Sequence, residues 1–497
     1  MHLQRQSNLM LMEYLNCRIG GQSSDFIEPF KIHIVENIKI NTRNDRLTAL
    51  EKTDYNVFKI HPEDVMIDFL TDAGTNGLSL KQNSRLWMGD ESYAGSSSFE
   101  ILKDNATYIS GFENILPVFS KRTSEEIVSS YLAKAGDRVI GNTFTYTLEN
   151  HLKHIKAEPI SMVDWSDENF GGNLDIKAFR NILKQNDKEK ISFVIMNVPS
   201  KNLGGQPVSM SNMKEVSDLC REHSIPVYIE SSMYGENCWR TKMYEENYFN
   251  KSLVEISQEM FSYFDGCILS AKRDGRSEIG SVICLRDDEM TRELGNVITF
   301  KAGFITYGGM AGRDMEIVAE GMRSALDEQL QDYREKQLAY FKKSLKEFGV
   351  PIVEPIGCNT IFIDAEKAFP QLSRKFYPAW SLACAAYIIG GIRCAEFGQI
   401  THATQSLPDD HPLKGRELIK LEVPRFIYTT CHFLYVAYVF SQLISHKIIS
   451  GMKIVDSPEC KVKHIKTSMV PLSSMDYGDI HLLPVQNSDH IHFFKNM

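Results

Sequence analysis

The sequence predicts an α/β fold: a mainly parallel sheet with helices on both faces, accompanied by a smaller α/β domain. Two patterns and the chain length carry that expectation. Short apolar runs at residues 138–141, 160–163, 191–198, 227–229, 266–269 and 281–285 read as strands separated by helical stretches. In residues 175–185, Ile176, Phe179, Ile182 and Leu183 recur at helical spacing. Residues 210–223 repeat the pattern with Met213, Val216 and Cys220 behind a Ser209 or Ser211 cap. At 497 residues the chain exceeds what one hydrophobic core usually supports.

In chain order, residues 1–26 end in the turn-rich GGQSSD and read as a flexible extension. A small domain is expected from two parts, 27–75 and 331–455, flanking a large domain at 76–330, with a divergent tail at 456–497. After Met322 a long helical pattern runs to about Glu347, stopped by Gly349 and Pro351, and is expected to link the domains. The carboxy-terminal part of the small domain then shows short strands, a helix at 380–389 and the string EVPRFIYT at 422–429.

A hydrophobic content of 43% and a charged content of 24% are those of a globular protein able to bury a core. The net charge of −9 argues against nucleic-acid and anionic-membrane partners. Ten cysteines lie scattered with no C-x-x-C pair, the usage of a reducing compartment, so a cytoplasmic location is expected. The longest apolar runs fall short of the ~18 residues that span a bilayer.

The stretch with the most chemistry is FSYFDGCILSAKRDGRSEIGS, residues 261–281. An apolar strand ends in the polar knot Ser270-Ala271-Lys272-Arg273-Asp274, and a second apolar run returns. This sets a hydroxyl and two cations at the end of a buried sheet, where α/β proteins place ligands. Together with GGQPVS, EMFSYFDG, GGMAGRDME, IDFLTDAGTNGLS and GDESYAGSSSFE, this knot resembles the tyrosine phenol-lyase and tryptophanase family. These are aromatic-amino-acid β-eliminating lyases that use pyridoxal phosphate (PLP). The resemblance covers roughly residues 27 to 455. It implies the fold type I architecture of PLP-dependent transferases and a reaction that releases pyruvate, ammonia and a leaving group.

The resemblance also assigns positions. The lysine that carries PLP as a Schiff base falls on Arg273, with Lys272 one residue earlier. An aldimine needs an amine that can lose its proton, and a guanidinium with a pKa above ~12 cannot serve. Adjacent side chains on an extended segment point to opposite faces, so Lys272 could substitute only after a local shift. The pyridinium partner falls on Glu230 and the neighbouring arginine on Met233; the stacking ring falls on Thr145. The phosphate turn falls on Ser120-Lys121-Arg122, with Ser270 as the phosphate serine, and the asparagine at the cofactor hydroxyl falls on Lys201. For the substrate, the resemblance implies Thr71, Phe397 and the carboxylate-binding Arg425, with Tyr93 as a proton donor reaching the neighbouring subunit's site. A monovalent cation such as potassium is implied at Glu91, with Gly74 and Glu278.

Three readings stand at this point. One is a pseudoenzyme of the same fold that binds PLP non-covalently, or another anion, through Ser270, Arg122 and Lys121, and it is the reading adopted. A second is an active PLP lyase working through Lys272. The third is a regulatory subunit that donates Tyr93 to an active paralogue. The expected partners are a small amino acid or anion and further copies of the chain, as a homodimer or homotetramer.

Overall fold

The computed structural model describes residues 28–184, 190–401, 404, 407–447, 449–458, 463–475, 477, 480 and 482. The expected extension at 1–26 lies outside the described residues.

Seven strands form the principal sheet: β1 (Asn114–Val118), β2 (Arg138–Gly141), β3 (Glu158–Ser161), β4 (Ile191–Asn197), β5 (Val227–Ser231), β6 (Gly266–Ser270) and β7 (Ser281–Leu285). Their spatial order is β1-β7-β6-β5-β4-β2-β3. All neighbours pair in parallel except β7, which runs antiparallel to both β6 and β1. The chain is therefore α/β with a mainly parallel mixed sheet. The sequence reading passed over β1, because Pro117 sits within it. Proline removes a ladder N–H and is tolerated on an edge strand, which is where β1 lies. The strand expected at 160–163 ends instead at Ser161, and Val163–Asp164 pairs separately with Asn173–Leu174.

Apolar side chains of the sheet and its helices fill a core on each face. One draws on residues from Leu102 to Leu326, the other on residues from Leu116 to Ile298. A further cluster takes Leu50 to Phe69 together with residues from Leu338 onward, and it surrounds the wholly buried helix Pro378–Gly390. Beside that helix is an antiparallel three-stranded sheet, β8 (Thr360–Asp364), β9 (Ala395–Phe397) and β10 (Leu418–Glu422), in the order β8-β10-β9. The long helix expected after Met322 is found, ending at Glu347 but starting only at Glu328. Gly312–Ser324 ends at Ala325, and Glu328–Glu347 starts afresh because Asp327 caps the amides of Gln329 and Leu330. The described part of the tail is packed: Tyr477 and Ile480 are buried in the Leu50 cluster, and their carbonyls accept hydrogen bonds from Arg43. Among the described residues, no helix is long and apolar enough to cross a membrane.

Candidate functional site

Because β1, β2, β4, β5 and β6 point the same way, their carboxyl ends open on one edge of the sheet. Ser120-Lys121-Arg122 follows β1, Thr145 follows β2, and Lys201 follows β4. Glu230 closes β5 just before Met233, and Ser270 ends β6. The register sets Asn197 opposite Glu230 and Ser231 opposite Leu269, so these ends are neighbours. This is the edge at which open α/β sheets bind ligands. The sequence positions assigned by resemblance are thus brought to one place by topology.

Their side chains are committed to one another. Arg273 is 2% exposed and donates Nε–H to Asp72 Oδ1 at 2.8 Å, with Glu422 Oε2 at 3.7 Å from Nη2. Arg425 is bidentate on Glu236, at 2.9 and 2.8 Å, and donates a third bond to Asp72 Oδ2 at 2.9 Å. Arg334 donates to the same Glu236 at 3.2 Å. Burial by itself would raise the Asp72 carboxyl; the guanidiniums of Arg273 and Arg425 outweigh it and hold Asp72 ionised well below the usual carboxylate range.

A second knot lies beside the first. Lys121 Nζ sits 3.1 Å from Glu230 Oε1 and 3.1 Å from Glu125 Oε1. Ser232 Oγ donates to Glu230 Oε1 at 2.7 Å. The Thr145 hydroxyl donates to Glu125 and also caps the helix Tyr146–His154 by accepting from the Leu148 amide. Phe144 is buried in the apolar cluster of the sheet face, and Met233 is completely buried. Position 145 itself thus offers a hydroxyl bonded to Glu125 in place of a ring.

Lys272 faces elsewhere. Its carbonyl accepts from the Gly74 amide at 2.9 Å and from Asn76 Nδ2 at 3.0 Å. Its side chain lies over Gly74, where a Cβ would meet Lys272 Cε at 2.8 Å, Nζ at 3.3 Å and the Glu278 carbonyl at 3.4 Å. With φ at +79°, Gly74 is both sterically and conformationally required. Partial burial and the Arg122 guanidinium lower the Lys272 pKa. Glu91 sits at the start of Gly312–Ser324, accepting from the amides of Gly312 and Arg313. Tyr93 is 65% exposed and stacks on Phe304 with centroids 5.0 Å apart. The Thr71 hydroxyl accepts from the Ala73 amide at 3.1 Å, and Phe397 packs on Phe362 beside Leu203. Ser270 is buried and Arg122 exposed. Among the described residues, no group of three or more His, Cys, Asp or Glu is placed to hold a metal.

The sequence profile of the beta-eliminating lyases matches residues 68–438. The chain belongs to the beta-eliminating lyase family. A protein of Trichomonas vaginalis named "Probable beta-eliminating lyase" is 39% identical over 86% of this chain and 95% of its own. A tryptophanase of Salinibacter ruber is 34% identical over 90% and 95%, and a tyrosine phenol-lyase of Pasteurella multocida 35% over 87% and 96%. At the level of fold alone, the chain is similar to a threonine aldolase of Leishmania major (TM-score 0.53, 13% identity, 76% of this chain and 99% of that one). It is similar also to an aromatic aminotransferase of Pyrococcus horikoshii (TM-score 0.56, 12% identity, 82% and 99%). The architecture is that of fold type I PLP-dependent enzymes.

Beta-eliminating lyases thus imply PLP, and the residues present can be tested against it. The nitrogen at position 273 is a guanidinium already paired with Asp72. The carboxylate at 230 is occupied by Lys121, and the arginine at 425 is saturated by Glu236 and Asp72. These residues do not fit a PLP held as a Schiff base at position 273.

Sequence reasoning missed the acids of the site: Asp72, Glu125, Glu236, Asp274 and Glu422. Only Glu125 carried a local signal, four residues after Lys121 on one helix. Asp274 accepts from the Gly235 amide at 2.7 Å and lies 3.8 Å from Arg425. Burial, reinforced by the Glu236 charge, pushes its pKa up to about 8. In the unfolded chain an aspartate ionises near ~3.9. Between those values the folded protein holds a proton that the unfolded chain releases, so this group's contribution to stability falls as pH rises through that window. Asp274→Asn is therefore expected to lose less melting temperature than the parent between about pH 5 and about pH 8. Parallel melting curves across that range would contradict it.

Proposed function

We propose that this member of the family is a pseudoenzyme: its cleft is closed to PLP by internal ion pairs, and it does not carry out β-elimination. The observation that carries this reading is the buried Arg273–Asp72 pair at the position where an amine is needed. Guanidinium stays protonated under any physiological condition and cannot form the aldimine. Lys121 on Glu230 and Arg425 on Glu236 support it, since these groups, which would meet cofactor and substrate, are already neutralised. The side chain of Lys272, the alternative amine, lies over the Gly74 turn, away from the site of Arg273 and Asp72. Saturating the protein with PLP, reducing with borohydride and mapping the peptides should leave Lys272 without a pyridoxyl group. A pyridoxyl group there would overturn the reading in favour of an active lyase.

We infer further that the chain assembles as a homodimer or homotetramer. Large apolar side chains lie exposed on neighbouring segments of one region: Trp87 at 86%, Tyr93, and Phe300 at 91%, with Tyr93 stacked on Phe304. Burying such side chains on a second copy contributes about 1.5–3 kcal/mol each. Light scattering of the purified protein is expected to read a dimer or tetramer, and a monomer at micromolar concentration would contradict it. Co-expression with an active family enzyme bearing Tyr→Phe at the position of Tyr93 separates the regulatory-subunit alternative, which requires hybrids that regain turnover.

A further inference from the structure

Within the cleft, most cations have a carboxylate of their own. Lys121 has Glu125 and Glu230, Arg273 has Asp72, Arg425 and Arg334 share Glu236, and Lys420 has Glu422. Among the described residues, Lys272 and Arg122 have no such pair, and neither has Lys201. Its backbone amide donates to Asn197 Oδ1, which fixes the turn Lys201–Leu203 at the end of β4. Among the described residues, its Nζ has neither ion pair nor hydrogen bond. The residue as a whole is half-buried.

A second group in the same cleft is incompletely satisfied. Arg273 Nη2 is buried without a hydrogen-bond partner, with Glu422 only at ionic range, 3.7 Å. An orphaned guanidinium N–H in the interior costs free energy until an acceptor arrives. Lys201 follows β4 and Arg273 follows β6, on either side of β5, so both stand at the same edge of the sheet. An amine beside a guanidinium donor matches a molecule that carries a carbonyl carbon next to a carboxylate.

We propose that Lys201 and the unbonded Nη2 of Arg273 form a covalent receptor for a small 2-oxo acid. The carboxylate accepts from Nη2, and Nζ adds to the carbonyl carbon. Water leaves as the C=O bond is replaced by C=N, with no change in oxidation state, and hydrolysis reverses the step. The charged groups around Nζ suit it to this. Burial comes first, then the Arg273 guanidinium, with Lys121 and Lys420 acting in the same sense and Glu422 opposing; together they lower the Lys201 pKa to about 7. A neutral amine is the nucleophile that imine formation needs. Binding of this kind requires no elimination chemistry. An adduct and released product are read separately, so this inference and the pseudoenzyme reading can each fail alone.

The test treats the full-length protein with glyoxylate and cyanoborohydride and maps carboxymethylated lysines by mass spectrometry. Lys201 is expected to be modified at least about tenfold faster than the exposed Lys177. Its rate should level off above pH 7, where Nζ is neutral. Acetaldehyde, which lacks the carboxylate, should show at least about tenfold less preference for Lys201, the worth of one charge-assisted hydrogen bond to the acid. Arg273→Gln should remove the glyoxylate advantage and leave acetaldehyde labelling of Lys201 intact. Modification spread over surface lysines, with no preference for Lys201, would overturn the proposal. Equal labelling of Lys201 in the parent by the two aldehydes would overturn it too, and that comparison needs no variant to fold.

Discussion

Arg425→Met is expected to destabilise the protein by about 3–5 kcal/mol, the usual consequence of removing one partner from a buried ion pair. Arg425 faces three acids, Glu236, Asp72 and Asp274, and its side chain is 5% exposed. Methionine fills similar volume but leaves Glu236 with Arg334 alone and Asp72 with Arg273. Uncompensated carboxylates in the interior carry a desolvation penalty that the missing guanidinium no longer offsets. Urea unfolding read by circular dichroism gives the change in midpoint. The exposed pair Lys214–Asp218 supplies the contrast, because Lys214→Met should shift stability by less than about 1 kcal/mol. An Arg425→Met loss no larger than that of Lys214→Met would show that the guanidinium is not bound up in the interior network. Arg425 would then remain free for a ligand carboxylate.

The outline of the fold was legible in the sequence because the strands and helices announce themselves locally. Residues 138–141 and 281–285 were read to the residue, since apolar runs there end at polar or glycine-rich turns. β1 was not, because a proline in an edge strand looks like a terminator when the neighbouring strand is unknown. The helix that starts at Glu328 was placed early for a related reason: apolar spacing continues through Ala325–Asp327, and only the capping aspartate marks the start.

The site was legible as a set of positions and illegible as a circuit. Arg273 and Lys272 could be assigned opposite roles from side-chain alternation alone, and the structure sends one to Asp72 and the other over Gly74. The partners of Arg425 could not be foreseen. Asp72 is 353 residues away and Glu236 is 189 away, and no local spacing pairs a guanidinium with acids so distant. The same holds for Glu422, which comes to Arg273 from β10, the central strand of the smaller sheet. The consequence is functional. Viewed one position at a time, the residues at 273, 230 and 145 look unrelated; in three dimensions each is bonded to another side chain of the site.

That difference fixes what a single restored amine can achieve. In Arg273→Lys the new ammonium still faces Asp72 and Glu422, so its proton is held rather than released. Lys121 still occupies Glu230, Thr145 still bonds Glu125, and Arg425 still lies on Glu236. Elimination needs the amine, the pyridinium acid and the carboxylate-binding arginine together, and groups acting as a unit are not recovered one at a time. The most direct measurement is therefore release of 2-oxo acid from tyrosine, tryptophan and S-substituted cysteines at saturating PLP, with parent and Arg273→Lys proteins assayed side by side. Internal closure of the cleft predicts no release above the protein-free blank from either. Turnover by the parent would contradict it outright, and turnover gained by Arg273→Lys would show that the amine alone was missing and that the ion pairs around it do not close the site.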